Sequence, residues 1–179
     1  MTGTISINRA PVLTLWAAVV AERLGYSRDE ALTLGRAVAG MNAQAKAVHL
    51  GLREPAPPGE KAPKRPAGER QVVELLGRAV PVVRTPHGLR AAKDGKPDSA
   101  EAVERYLAGK FGDSLDAARS AMTTLAARST PAELAASAYA LYERFRPEIP
   151  AGSRGWGAKG VLDLAALAKL GRSGAAKRG

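Results

Sequence analysis

The sequence predicts a mainly α fold: a helical bundle with a helical hairpin at its N-terminus and one small β-hairpin. Three observations lead there. Aromatic residues are only 4% of a chain that is 45% hydrophobic, so Ala, Leu and Val must fill the core, and Ala and Leu favour helix. Helix stop and cap signals recur, at Gly25–Ser27 and again at Thr130–Glu133. Adjacent β-branched residues between turn signals are confined to a short central stretch, Gln71 to Arg84. With 179 residues, the chain can form one domain with a real core or two small units.

In chain order, residues 1–8 read as an arm or short strand. Pro11 suits a first helical turn, and the helix is expected to run to Leu24. Its apolar residues (Val12, Leu13, Leu15, Trp16, Val19, Val20, Leu24) surround most of the helix, as in one buried centrally or paired with another chain. A second helix follows Ser27 and continues to about Leu50, with Ala31, Leu34, Gly35, Val38, Asn42 and Ala45 on one face. Gly35 and Gly40 weaken that helix, which points to close helix–helix packing.

Residues 53–70 contain five prolines and almost nothing to bury, so they read as a linker or surface loop after a helical hairpin at 1–52. Residues 71–170 are then a small β element plus a helical bundle. Gln71–Leu76 and Val80–Arg84 have strand character, Thr85–Gly88 is a turn, Leu89–Ala92 returns, and Asp94–Pro97 turns again. Helices are expected from Ser99 to Gly109 or Gly112, from Ser114 to Ala127, and from Thr130 to Arg146, where Pro147 ends the last. A Gly-rich segment, Ala151–Gly160, precedes a helix from Val161 to about Leu170, and 171–179 is a disordered basic tail.

The absence of cysteine excludes disulfides, thiolate metal sites and thiol chemistry, and two histidines argue against a histidine metal site. No cofactor is expected. No run reaches the roughly 18 apolar residues of a membrane span, and Ala10–Ala21 lacks the charged lead and cleavage site of a signal peptide. The expectation is a cytoplasmic protein without a membrane partner.

The net charge is +10, placed at the two ends: +6 in residues 1–98, −1 in 99–149 and +5 in 150–179. A pI near 10.3 directs attention to a polyanion. Val20 to Ala31 reads helix, tight turn, helix: Gly25 stops the first, and Ser27 with Glu30 forms a capping box for the second. This spacing resembles the helix-turn-helix superfamily as a pattern, over about 25 residues. The resemblance implies a DNA-binding, regulatory or architectural protein. Tyr26, Ser27, Arg28, Thr33 and Arg36 would then face the nucleic acid, with Arg reading guanine or holding phosphate. A basic β-hairpin would act as a wing, with Arg84, Arg90, Lys93 and Lys96 on the backbone.

In the Gly-rich segment, Arg154, Trp156 and Lys159 are candidates for a phosphate loop, since backbone N–H groups, a helix N-terminus and two cations converge there. It lacks the Walker A and GxGxxG spacings. The plainer account is a loop whose Trp anchors the last helix. No catalytic residues are assigned: His87 reads as a turn residue, and Glu101, Glu104, Asp113 and Asp116 as helix-start acids. The alternative to DNA binding is a protein-interaction or dimerisation module built on the apolar helix 11–24. An enzyme acting on a phosphate-bearing substrate comes third.

Overall fold

A computed structural model describes residues 4–49, 71–93, 96–147 and 159–178, while the side chains of 43–49, 93, 159 and 172–178 lie outside that description. The described residues are mostly helical, with two small antiparallel sheets. The elements are β1 (Thr4–Asn8), α1 (Arg9–Arg23), α2 (Arg28–His49), β2 (Gln71–Leu75), β3 (Arg78–Thr85), β4 (Gly88–Lys93), β5 (Lys96–Pro97), α3 (Ala100–Phe111), α4 (Leu115–Ala126), α5 (Pro131–Phe145), β6 (Lys159–Asp163) and α6 (Leu164–Arg178). No helix among them is long and apolar enough to cross a membrane.

Helix α1 is the centre of the molecule. Every residue from Pro11 to Ala21 is buried, including Thr14, whose hydroxyl donates back to the Ala10 carbonyl at 2.9 Å. Trp16 lies at its midpoint, fully buried, donating from Nε1 to the Ala138 carbonyl at 2.9 Å and meeting Phe145 edge-on at 5.3 Å. The apolar surface that pointed to a paired chain is thus covered by α2, α4 and α5 of the same chain. Of the two expectations for residues 11–24, central burial holds for Pro11–Ala21.

The hairpin between α1 and α2 follows the predicted turn chemistry. Gly25 takes φ +116, where an L side chain is strained. The Glu30 amide donates to Ser27 Oγ at 3.2 Å, and the Ser27 amide donates to Glu30 Oε1 at 2.9 Å, so the capping box is complete. The helices then cross in close contact at Gly35, where an added Cβ would meet the Thr14 carbonyl oxygen and lie 2.9 Å from the Ala18 amide nitrogen. Gly40 meets nothing within 4 Å, so packing accounts for the first glycine and not the second.

The central β element is larger than the predicted hairpin: four strands in the order β2-β3-β4-β5. Leu76 and Gly77 close β2–β3 with φ +49 and +78, the backbone of a two-residue turn with both central residues left-handed. A leucine there is strained by about 1–2 kcal/mol. Its side chain is 7% exposed, and burying a leucine contributes about 1.5–3 kcal/mol in the opposite direction. Pro81 has no N–H for a neighbour on β4, and the β3–β4 ladder stops at Val82.

Residues 4–8, read as an arm or strand, form β1 and pair antiparallel with β6, Ile5 opposite Leu162. The last helix therefore begins at Leu164 rather than Val161, because Val161 and Leu162 are held in that ribbon. It also continues to Arg178, through most of the segment expected to be a disordered tail. Asp163 caps it, accepting from the Ala165 and Ala166 amides at 3.0 and 3.1 Å. Thr130 and Glu133 form the second predicted capping box at the start of α5. Side chains from both sides of 53–70, among them Trp16, Leu34, Val80, Met122 and Leu167, belong to one buried cluster. Residues 53–70 themselves lie outside the described residues.

Candidate nucleic-acid interface

The start of α2 and the β3–β4 hairpin, expected separately as recognition helix and wing, meet in the structure. Glu30 joins them. One carboxylate oxygen completes the Ser27 cap, and the other accepts from the Leu89 amide of β4 at 2.9 Å. The Ser27 backbone N–H is the largest influence holding this carboxyl below its ordinary value of 4.5. The Leu89 N–H adds to it, burial opposes both, and the Arg90 charge assists. One turn further, Thr33 accepts from the Ala91 amide at 3.0 Å and donates to the Glu30 carbonyl. Both links advance together along α2 and β4, so helix and strand run in the same direction.

These links decide what each expected contact residue can do. Thr33, expected as a nucleic-acid contact, is fully buried with its hydroxyl engaged on both sides, where it fastens sheet to helix. Arg90, expected on the wing, is also buried. Its side chain is 11% exposed, donates to the Leu89 carbonyl at 2.9 Å and lies 3.8 Å from Asp29. Ser27 is consumed by its cap, and Tyr26 packs partly against the core.

Arg28 remains exposed, 3.6 Å from Glu22, which is also exposed. Arg36 is exposed and stacks over the Tyr106 ring at 4.1 Å. Burial raises the Tyr106 phenol above its ordinary value of 10.0, and the Arg36 charge opposes that shift. Arg84 and Lys96 are exposed, with no carboxylate within 4.0 Å among the described residues. Lys93 pairs through its backbone with Lys96, and Lys159 with Asn8, but both side chains lie outside the description. Arg154 and Trp156 lie outside the described residues altogether, so the phosphate-loop expectation stands where the sequence left it.

The surviving cations sort into two pairs. Arg84 sits opposite Leu89, whose amide binds Glu30, so it shares the N-terminal end of α2 with Arg28. Arg36 is eight residues along the helix, about 12 Å at 1.5 Å per residue, and the parallel run of β4 carries Lys96 toward the same end. Residues 31–35 of α2 are all buried, so this helix has no continuous exposed face to lay in a groove. Sequence reasoning missed the second role of Glu30 and the role of Thr33. The signal for Thr33 was its place between Leu32 and Leu34 on a helix with little polar surface.

Glu30 gives a pH test. A carboxyl held low in the folded state stabilises above its unfolded value, and that contribution is lost as pH falls through the folded value. The structure therefore predicts a stability loss beginning below about pH 4.5. Glu30→Gln should lower stability at pH 7 by about 1–2 kcal/mol, because its NH2 cannot accept from an amide. It should also flatten the acid limb. Thermal unfolding of both proteins from pH 7 to pH 3 checks this, and parallel profiles would contradict the clasp.

No family model, curated protein or solved structure matches this chain.

Proposed function

We propose that this protein binds nucleic acid through the phosphate backbone, most simply duplex DNA, with Arg28 and Arg84 at one end of the α2–β4 seam and Arg36 and Lys96 at the other. The observation that carries this reading is the net charge of +10 together with exposed cations on that seam that no strong ion pair occupies. The Arg28–Glu22 pair is exposed on both sides and is worth at most about 1 kcal/mol, so a phosphate can replace it. The spacing of the two cation pairs is of the order of the major-groove width, about 12 Å, which suits phosphates on either wall. Contact is through backbone rather than base edges, since the buried residues 31–35 leave Arg28 and Arg36 without an exposed stripe between them. Architectural binding fits this arrangement better than sequence reading.

Fluorescence anisotropy with mixed-sequence duplex DNA across a salt series tests the reading. Affinity should fall steeply with salt, and Arg28→Ala/Arg84→Ala should reduce the log–log slope by about 2, one phosphate contact per arginine. Absence of binding at low salt would overturn it.

A further inference from the structure

Arg36 is held on the seam by an aromatic ring rather than by a carboxylate. Its guanidinium carbon lies 4.1 Å from the centre of the Tyr106 ring, over its face. Arg36 has no carboxylate within 4.0 Å among the described residues. No acid stands one helical turn from it on α2, where Leu32, Thr33, Ala39 and Gly40 lie, and the charged residue one turn beyond Tyr106 on α3 is Lys110. Glu104, two residues before Tyr106, is bonded to Arg119 at 2.9 Å. Arg36 therefore keeps its full charge. A ring face engages the plane of the guanidinium and leaves the N–H donors at its edge available.

The ring itself is fixed. Tyr106 is partly buried and packs against the core, on a helix whose Val103 and Leu107 are buried. Burial raises its phenol above the ordinary value of 10.0, so the anchor is neutral at physiological pH and does not compete with an anion for the cation. An unanchored arginine samples many rotamers, and ordering it on a partner costs binding free energy. Stacking on a fixed ring orders Arg36 before any partner arrives.

Resting on the nucleic-acid reading above, we propose that Tyr106 is a positioning residue of the interface, holding Arg36 in the orientation that meets a backbone phosphate. Its effect is exerted through Arg36 and not through contact of its own with nucleic acid. A planar guanidinium donates two parallel N–H bonds to a phosphate, so orientation as well as charge decides the strength of that contact. The interface thereby depends on α3, an element outside the α2–β4 seam.

The test is a double-mutant cycle on the full chain, read by anisotropy with duplex DNA across a salt series. Arg36→Ala should weaken binding and lower the log–log slope by about 1. Tyr106→Leu should weaken binding about threefold with the slope unchanged, because the phosphate contact survives without its anchor. Tyr106→Phe keeps the ring and should bind like the unaltered protein. In the Arg36→Ala background Tyr106→Leu should have no further effect, whereas a loss caused by disturbed packing persists there. The anchor is also read without DNA. In the 15N-labelled protein the Arg36 Nε–Hε NMR signal should lie upfield through the ring current, return on Tyr106→Leu and stay in place on Tyr106→Phe. Equal weakening by Tyr106→Leu in both backgrounds, unaltered affinity in Tyr106→Leu, or an unshifted Arg36 signal in the unaltered protein would each overturn the positioning role. Duplex binding that Arg36→Ala leaves unchanged overturns this role alone. Failure of the unaltered protein to bind duplex at low salt overturns the nucleic-acid reading and this role with it.

Discussion

Trp16→Ala is expected to lower the stability of this protein by about 3–5 kcal/mol, the range for a large aromatic removed from a packed interior. The side chain is fully buried: Phe145 meets it edge-on at 5.3 Å, and its Nε1–H donates to the Ala138 carbonyl. Stabilities of single domains run to about 5–15 kcal/mol, so this one change removes a large share. At about 2–4 °C per kcal/mol for a chain of this size, the melting temperature should fall by roughly 6–20 °C. Trp16→Phe separates the contributions: it keeps an aromatic ring and forfeits the hydrogen bond, worth about 1 kcal/mol, plus part of the packing. Urea unfolding followed by circular dichroism measures both. A Trp16→Ala loss below that of Trp16→Phe would contradict the central placement of α1.

Gly35→Ala should destabilise, against the usual direction for a glycine inside a helix. Alanine gains about 1 kcal/mol over glycine from helix propensity alone. Here the new methyl group meets the Thr14 carbonyl and the Ala18 amide, both backbone atoms of α1 that no rotamer change can move. The two helices must separate, and overpacking of this kind costs about 1–3 kcal/mol. The matched control is Gly40→Ala on the same helix, where nothing lies within 4 Å and the propensity gain should appear as higher stability. Opposite signs at the two glycines, read from denaturant midpoints, are the expected result. The same sign at both would place the α1–α2 crossing elsewhere.

The local features of the fold were legible because each depends on neighbours in sequence. Ser27 and Thr130 were recognisable as caps from the acid three residues later, and both boxes close as expected. Thr85–Gly88 announced its turn. The boundaries of α1 to α5 fell within a residue or two of proline, glycine and cap positions, whereas α6 starts three residues later than expected and runs on to Arg178. The errors came where a partner distant in sequence decided the outcome. Val161 was assigned to a helix on local pattern, yet β1, more than 150 residues away, holds it in a strand. Asn42 was visible as a polar residue on an apolar helix face, but its reason, Arg78 and Tyr139, comes from two other elements.

The candidate interface divides the same way. Composition alone made a polyanion the leading partner, and Arg28, Arg36, Arg84 and Lys96 were named from charge and position. Burial then removed Thr33 and Arg90 from that set, because a hydroxyl and a guanidinium near a helix start look alike in sequence whether they face solvent or a strand. By itself, the sequence determined the helical class, the caps, the turn at Gly25 and the excess charge. Each is a property of a residue or of its near neighbours along the chain. Only the tertiary structure decided that α1 lies at the core, that Glu30 ties a hairpin to a helix, and which cations remain exposed. Those outcomes depend on which surfaces meet, and that is set by packing among elements far apart in the chain.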